Sequence, residues 1–255
     1  MTADLAGLLA LTNTMLQAGF VVFFRVGGAM AALPAFGEQF LPARVRLGLA
    51  VAFTLIVAPA VHPRIIADGF ALPVIVTESI VGLTIGLMLR LFVMALQVAG
   101  TIAAQATSLS QLFGGTTGEP QPAIGHLMVM GGLAVAVASG LHLQIATLLI
   151  ASYDVLPPGR LPEAGAIRSW GLSGVSRSFA LAFSIAAPFV LAGLIYNIAL
   201  GVINRAMPQL MVAFVGAPAL TAGGLALLAL AVPTGLMLWH ADLVDFLRNP
   251  FGAPR

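Results

Sequence analysis

The sequence of 255 residues contains no cysteine and no lysine, and only 8% of its residues are charged. Without cysteine, disulfide bonds, thiolate catalysis and cysteine-ligated metals are excluded. A soluble domain carries about 25% charged residues, so this chain lacks the side chains to cover a water-facing surface. Its 11 basic residues stand against 9 acidic ones, and a net charge of +2 gives no indication of nucleic-acid binding.

Apolar residues dominate what is present. They make up 60% of the chain, and the mean hydropathy is +1.04. This composition predicts one integral membrane domain over residues 1–255, all-α and polytopic, with about six apolar helical segments in hairpins. The six predicted segments are Leu8–Phe36, Val45–Val61, Leu72–Leu112, Ile124–Ala151, Phe179–Ile203 and Leu210–Ala241.

The last two segments form a long block with a single formal charge. From Ser178 to Ala241, Arg205 is the one residue with a formal charge, in the phrase Asn204 to Gln209 that contains Pro208. We interpret this block as a helical hairpin with a polar elbow, and expect Pro218 or Pro233 to kink or divide its second helix.

A stripe of polar and small residues runs along the third segment. Its members recur at steps of three, four or seven, which we interpret as one helix face: Gly82, Gly86, Arg90, Gln97, Thr101, Gln105 and Ser108. The glycines favour close backbone approach, either within the chain or to another chain. Amides and hydroxyls are costly against lipid, so we expect the later half to face a water-filled lumen or a partner subunit.

A second stripe lies in the fifth segment, at Gly193, Asn197, Gly201 and Asn204. It repeats the small-residue spacing and ends at the elbow, where Arg205, Pro208 and Gln209 follow. We expect this stripe to be a seam that packs against another helix, in this chain or in a partner.

Two ionisable residues, Glu78 and Arg90, lie at apparent membrane depth in the third segment. They are about 18 Å apart on one helix, so each needs another partner or water. We interpret Glu78 as lying near a helix end, where a carboxylate costs little, and leave the role of Arg90 open.

The motifs of enzymes and cofactor sites are missing. The four histidines stand in separate segments without metal-ligand spacing, and the glycine-rich stretch after Phe113 lacks the ending of a phosphate-binding loop. No nucleophile stands with a base. We therefore expect neither catalysis nor a cofactor or metal.

With these residues in view, the chain resembles the FliR-type family, a subunit of the flagellar type III export gate. The resemblance covers nearly the whole length, and its most specific phrase is Asn197 to Gln209. The other matching phrases are Phe24-Arg25, Leu33 to Gly37, Leu41 to Ala50, Ala104 to Ala106 and the glycine-rich loop after Phe113.

The resemblance implies a non-enzymatic gate subunit in the bacterial inner membrane, within the flagellar basal body. It implies partners of the FliP, FliQ, FlhB and FlhA types, with membrane lipid and exported unfolded proteins as further contacts and no nucleic acid. Residues 1–177 would be the FliP-like part and residues 178–255 the FliQ-like hairpin. The loop Phe113, Gly114, Gly115, Thr116, Thr117 and Gly118 would help to plug the closed pore.

Two alternatives stay open. Injectisome relatives share the architecture, so the export system could serve virulence instead of flagellar assembly. A small secondary transporter would use Glu78 and Arg90 along a substrate path, but no internal repeat supports it.

Overall fold

The computed structural model describes residues 2–36, 41–62, 65, 72–108, 123–207 and 212–252. These residues form helices joined by turns, and no strand occurs among them. The helices are α1 (Thr2–Ala32), α2 (Ala43–Val61), α3 (Leu72–Ser108), α4 (Ala123–Ala138), α5 (Leu141–Val155), α6 (Ala164–Ala206) and α7 (Val212–Arg248).

The predicted fold class is confirmed. Within the described residues, α1, α2, α3, α6 and α7 are long and apolar enough to cross a membrane, and α4 with α5 adds a sixth candidate if counted as one broken span. The chain is an all-α polytopic membrane protein.

The fourth predicted segment is wrong as a single helix. It breaks at Ser139–Gly140, where Gly140 has a φ of +84°, a left-handed conformation that suits glycine. The Gly140 carbonyl then accepts hydrogen bonds from the backbone N–H groups of Leu143 and Gln144, which begins α5. Hydropathy does not detect this break because the flanking residues are apolar on both sides.

The last two helices are longer than their apolar runs predict. Helix α6 begins at Ala164, well before Phe179, so most of the polar stretch up to Arg177 is helical. Helix α7 continues as one element through Pro218 and Pro233, so neither proline divides it, and a kink at one of them stays a prediction.

The contacts divide the chain into two compact units, each assembled from separate stretches of sequence. The first unit contains Met1–Leu91, Val137–Gly174 and Phe246–Arg255, and the second contains Phe92–Ala136 and Val175–Asp245.

In the first unit, α1 and α3 pack backbone to backbone. A Cβ added at Gly82 would overlap the carbonyl oxygen of Arg25, and one added at Gly86 would lie 2.5 Å from that of Ala29. Gly28 on α1 makes a reciprocal approach to Ser79. These glycines are therefore an intramolecular packing seam, one of the two alternatives that their spacing left open.

In the second unit, Trp239 joins α7 to α3. Its side chain is fully buried, and its indole N–H donates a 2.8 Å hydrogen bond to the carbonyl oxygen of Phe92. Gly132 on α4 faces the same indole, and Gly100 approaches Gly125 so closely that a Cβ would overlap that backbone. An indole N–H in an apolar interior needs such an acceptor, so this bond sets the position of α7.

Candidate functional site

The most buried polar cluster in the described residues centres on Arg25, which lies two turns before the C-terminal end of α1. Its side chain is completely enclosed. Its guanidinium donates to both carboxylate oxygens of Glu78 on α3, at 2.8 and 3.0 Å. The remaining donors reach the Ser152 hydroxyl at 3.0 Å and the Leu156 carbonyl at 2.8 Å. The guanidinium also lies over the ring of Tyr153, 3.7 Å from its centre.

Glu78 is as fully buried as Arg25, and other donors complete its shell. The backbone N–H of Gly159 donates to one carboxylate oxygen at 3.2 Å, and the Tyr153 hydroxyl donates to the other at 3.4 Å. Gly159 has a φ of +74°, a conformation that a side chain would strain. The carboxylate thus fixes the turn that leads from α5 towards α6.

This arrangement corrects our interpretation of Glu78. The residue does lie near the N-terminus of α3, as predicted, but its buried charge is tolerated because Arg25 neutralises it and not because of the helix end alone. A bidentate pair whose other donors and acceptors are also satisfied can offset the cost of removing two charges from water.

The sequence contained part of the signal for this pair. Arg25 and Glu78 are opposite charges in the first and third apolar runs, and charges inside membrane segments are commonly paired with one another. Spacing along one helix relates Glu78 only to Arg90, so it did not show the partner on α1. Nothing in the sequence indicated that Ser152, Tyr153 and Leu156 would close the cluster.

A second ion cluster lies in the second unit, between α6 and α7. Arg177 donates to both carboxylate oxygens of Asp242, with a shortest distance of 2.6 Å, and to Asp245 at 3.2 Å. Its guanidinium also lies 5.9 Å from the ring centre of Phe92. These side chains are partly exposed, so the cluster contributes less per contact than the enclosed pair.

The later half of the predicted α3 stripe lies on the surface. Gln97, Thr101 and Gln105 are exposed, and Arg90 is half-buried. Towards the N-terminus, the same side of the helix continues with apolar residues that are also exposed, namely Val76, Ile80, Leu83 and Leu87. Ser108 ends the helix, and its side chain lies outside the described residues.

The spacing predicted that the stripe forms one helix face, but in the structure its members point in different directions. Gly82 and Gly86 are buried against α1, whereas Gln97, Thr101 and Gln105 point away from the packed interior. At about 100° per residue, the direction drifts by roughly 140° between Gly82 and Gln105. Steps of four, repeated over many turns, leave the face on which they began.

The stripe on α6 divides in a similar way. Gly193 is buried, and a Cβ there would lie 2.8 Å from the carbonyl oxygen of Ala106 on α3. Asn197 is half-buried, while Gly201, Asn204 and Arg205 are exposed. The Tyr196 hydroxyl donates to the carbonyl of Gly216, which ties α6 to α7 just before the elbow.

The remaining predicted site residues lie outside the described part of the chain. These are the loop residues Phe113, Gly114, Gly115, Thr116, Thr117 and Gly118, and the elbow residues Pro208 and Gln209. Among the residues that are described, no group of three or more His, Asp or Glu side chains is arranged to hold a metal ion.

Residues 16–245 match the model of a family described as bacterial export proteins, family 1. The chain belongs to this family. The matched region contains both ion clusters and both stripes, so membership rests on the whole helical assembly and not on one motif.

Relatives in this export protein family carry names that confirm the resemblance to the FliR type. The chain is 33% identical to a flagellar biosynthetic protein FliR of Caulobacter vibrioides, over 88% of this chain and 93% of that protein. It is 28% identical to the Escherichia coli protein of the same name, over 84% of each chain. It is also 28% identical to Yop proteins translocation protein T of Yersinia pestis, over 95% of this chain and 93% of that protein.

We predict that Arg25→Met destabilises the purified chain in detergent by about 3–5 kcal/mol, because it leaves the Glu78 carboxylate buried without a counter-charge. Adding Glu78→Leu should recover part of that loss, since the double variant has no uncompensated charge. Thermal unfolding of the single and double variants measures both effects.

Arg168→Met is the matched control, because Arg168 is an exposed arginine of the same unit. Its unfolding temperature should stay close to that of the unmodified chain. Equal behaviour of the Arg25 and Arg168 variants would contradict the role assigned to the buried pair.

Proposed function

We propose that this protein is a non-enzymatic subunit of a type III protein export gate, and that the system it serves is flagellar. It would form part of the pore that passes unfolded flagellar subunits across the bacterial inner membrane, within the flagellar basal body. The proposal is supported by membership in the export protein family, by the names of the relatives, and by the surfaces that this chain leaves uncovered.

The observation that carries the proposal is an apolar helix surface longer than the hydrocarbon core of a bilayer. From Phe179 to Ala206, α6 has Arg205 as its one residue with a formal charge, and these 28 residues span about 42 Å at 1.5 Å per residue. A hydrocarbon core is about 30 Å thick, and at the average helix tilt of about 20° the run still extends about 40 Å along the membrane normal. Part of the exposed apolar face therefore needs protein to cover it.

Little of that cover comes from the chain itself. Buried residues make up 56% of the apolar window of α3, but 33% of the window in α6 and 17% of that in α7. Exposed side chains surround the end of α6, among them Ile195, Ile198 and Val202. We propose that subunits of the FliP and FliQ types pack here, with residues 178–255 acting as the FliQ-like hairpin.

The exposed amide of Gln97 on α3 supports a second contact. Gln97 and Thr101 follow one another along the helix surface, and lipid offers no hydrogen bonds to the Gln97 amide group. The Thr101 hydroxyl bonds to the Gln97 carbonyl within its own helix. We assign this face to the pore lumen or to a neighbouring subunit, with proteins of the FlhA and FlhB types joining the assembly outside it.

We further propose that the loop from Phe113 to Gly118 helps to close the pore. Its three glycines and lack of charge suit a segment that must move aside without binding the passing chain. Deleting Gly114 to Gly118 is expected to let ions leak through membranes that contain the assembled gate. Unchanged conductance of those membranes would count against a plug.

The alternatives are supported less well. The similarity to a Yop translocation protein leaves a virulence export system as an alternative, and the phenotype of a deletion strain distinguishes it from a flagellar system. A secondary transporter would use Glu78 along its substrate path, but both carboxylate oxygens of Glu78 already accept hydrogen bonds inside the chain.

Deleting the gene should abolish filament assembly and swarming, because every exported subunit would have to cross the missing gate. A plasmid copy of the unmodified gene should restore both, and a copy truncated before α6 should not. A fully motile deletion strain would contradict the flagellar assignment. A motile strain that has lost a virulence secretion activity would favour the injectisome alternative.

A further inference from the structure

Arg90 is a charge for which the described part of the chain supplies no partner. It is half-buried on α3, and it makes no ion pair or side-chain hydrogen bond with any residue that the structure describes. Two other helical arginines show the contrast directly. Arg25 is paired with Glu78, and Arg177 is paired with Asp242 and Asp245.

The position of Arg90 gives it no route to bulk water along its own helix. It stands 18 residues from each end of α3, a distance of about 27 Å in either direction. Snorkelling rescues arginines near helix ends, where the side chain reaches the interface, and does not extend over such a distance. Glu78 on the same helix is about 18 Å away and is already saturated by Arg25.

The surroundings of Arg90 are a surface that another helix can cover. Leu87 and Met94, one turn to either side, are 50% and 46% exposed. The next positions on this surface are Leu83 towards the N-terminus and Gln97 towards the C-terminus, both exposed. Arg90 therefore stands where the exposed surface of α3 changes from apolar to polar.

Because no described residue pairs with Arg90, we infer that it binds a carboxylate on a helix of a neighbouring gate subunit, which rests on the export-gate function proposed above. A planar guanidinium takes a carboxylate through two parallel hydrogen bonds, as Arg25 does with Glu78. Phosphates of lipid headgroups lie at the ends of membrane spans, whereas residues 79–89 and 91–108 around Arg90 carry no charge. An aspartate or glutamate on an apolar partner helix meets the charge at the required depth.

The first test uses the full chain expressed with its partner subunits and purified in mild detergent through a tag on this chain. Arg90→Met should lower the amount of co-purified partner subunits by about tenfold or more, because it leaves the partner carboxylate without a counter-charge. The isolated Arg90→Met chain should unfold at the same temperature as the unmodified one, unlike Arg25→Met. Arg168→Met is the matched control and should leave co-purification unchanged.

The second test does not depend on that variant folding. Arg90→Glu should abolish motility, and motile revertants should carry a change of Asp or Glu to Lys or Arg in a partner subunit. Revertants confined to this chain would overturn the inference. So would normal co-purification of Arg90→Met, which would place a lipid phosphate or luminal water opposite Arg90.

These outcomes separate the inference from the function on which it rests. Two results together would overturn both the function and the inference: an unmodified chain that co-purifies with no partner subunits, and a deletion strain that still swarms. An unmodified chain that does retain them, together with an Arg90→Met chain that retains as many, would overturn the carboxylate alone.

Discussion

A charge inside an apolar helix must meet an opposite charge, and this requirement organises the first unit of the molecule. Neither lipid nor a packed core solvates a guanidinium, so Arg25 stays in α1 only because Glu78 on α3 receives it. The same guanidinium reaches Ser152 and Leu156, and Glu78 holds Gly159. One ion pair thus positions α1, α3, α5 and the turn before α6. The glycines at 82 and 86 allow the close helix approach that this geometry needs.

The surfaces that remain uncovered follow from the same physical reasoning. Arg90 and Gln97 carry polar groups that lipid cannot satisfy, yet they stand on the outside of α3. The C-terminal part of α6 has the opposite character, an exposed apolar surface longer than the hydrocarbon core is thick. Both are costly for an isolated chain in a bilayer, and both become favourable in an assembly of helices. A subunit of a larger gate has such surfaces because neighbouring subunits cover them, whereas a self-sufficient transporter has no neighbours that do so.

Hydropathy predicted the helical architecture because long uncharged runs have few alternatives in a membrane. It did not predict the break at Gly140, which depends on a backbone angle and leaves the apolar pattern intact. Spacing by fours placed Gly82 and Gln105 together, although the accumulated rotation separates them. The partner of Glu78 was missed because contacts between helices are not encoded at a fixed separation in sequence. The family was identified from short phrases such as Asn197 to Gln209, since those residues are specific in a way that composition is not.

We propose that protein, and not lipid, covers the exposed C-terminal part of α6. Val202 is 63% exposed in this chain and lies among other apolar side chains. It can be replaced by benzoylphenylalanine in cells that express the partner subunits at native levels, and irradiated in intact membranes. We expect a crosslinked product that contains this chain and a second protein, and that disappears when the partner genes are deleted. A crosslink to lipid alone, equal with and without the partner genes, would show that lipid covers this surface instead.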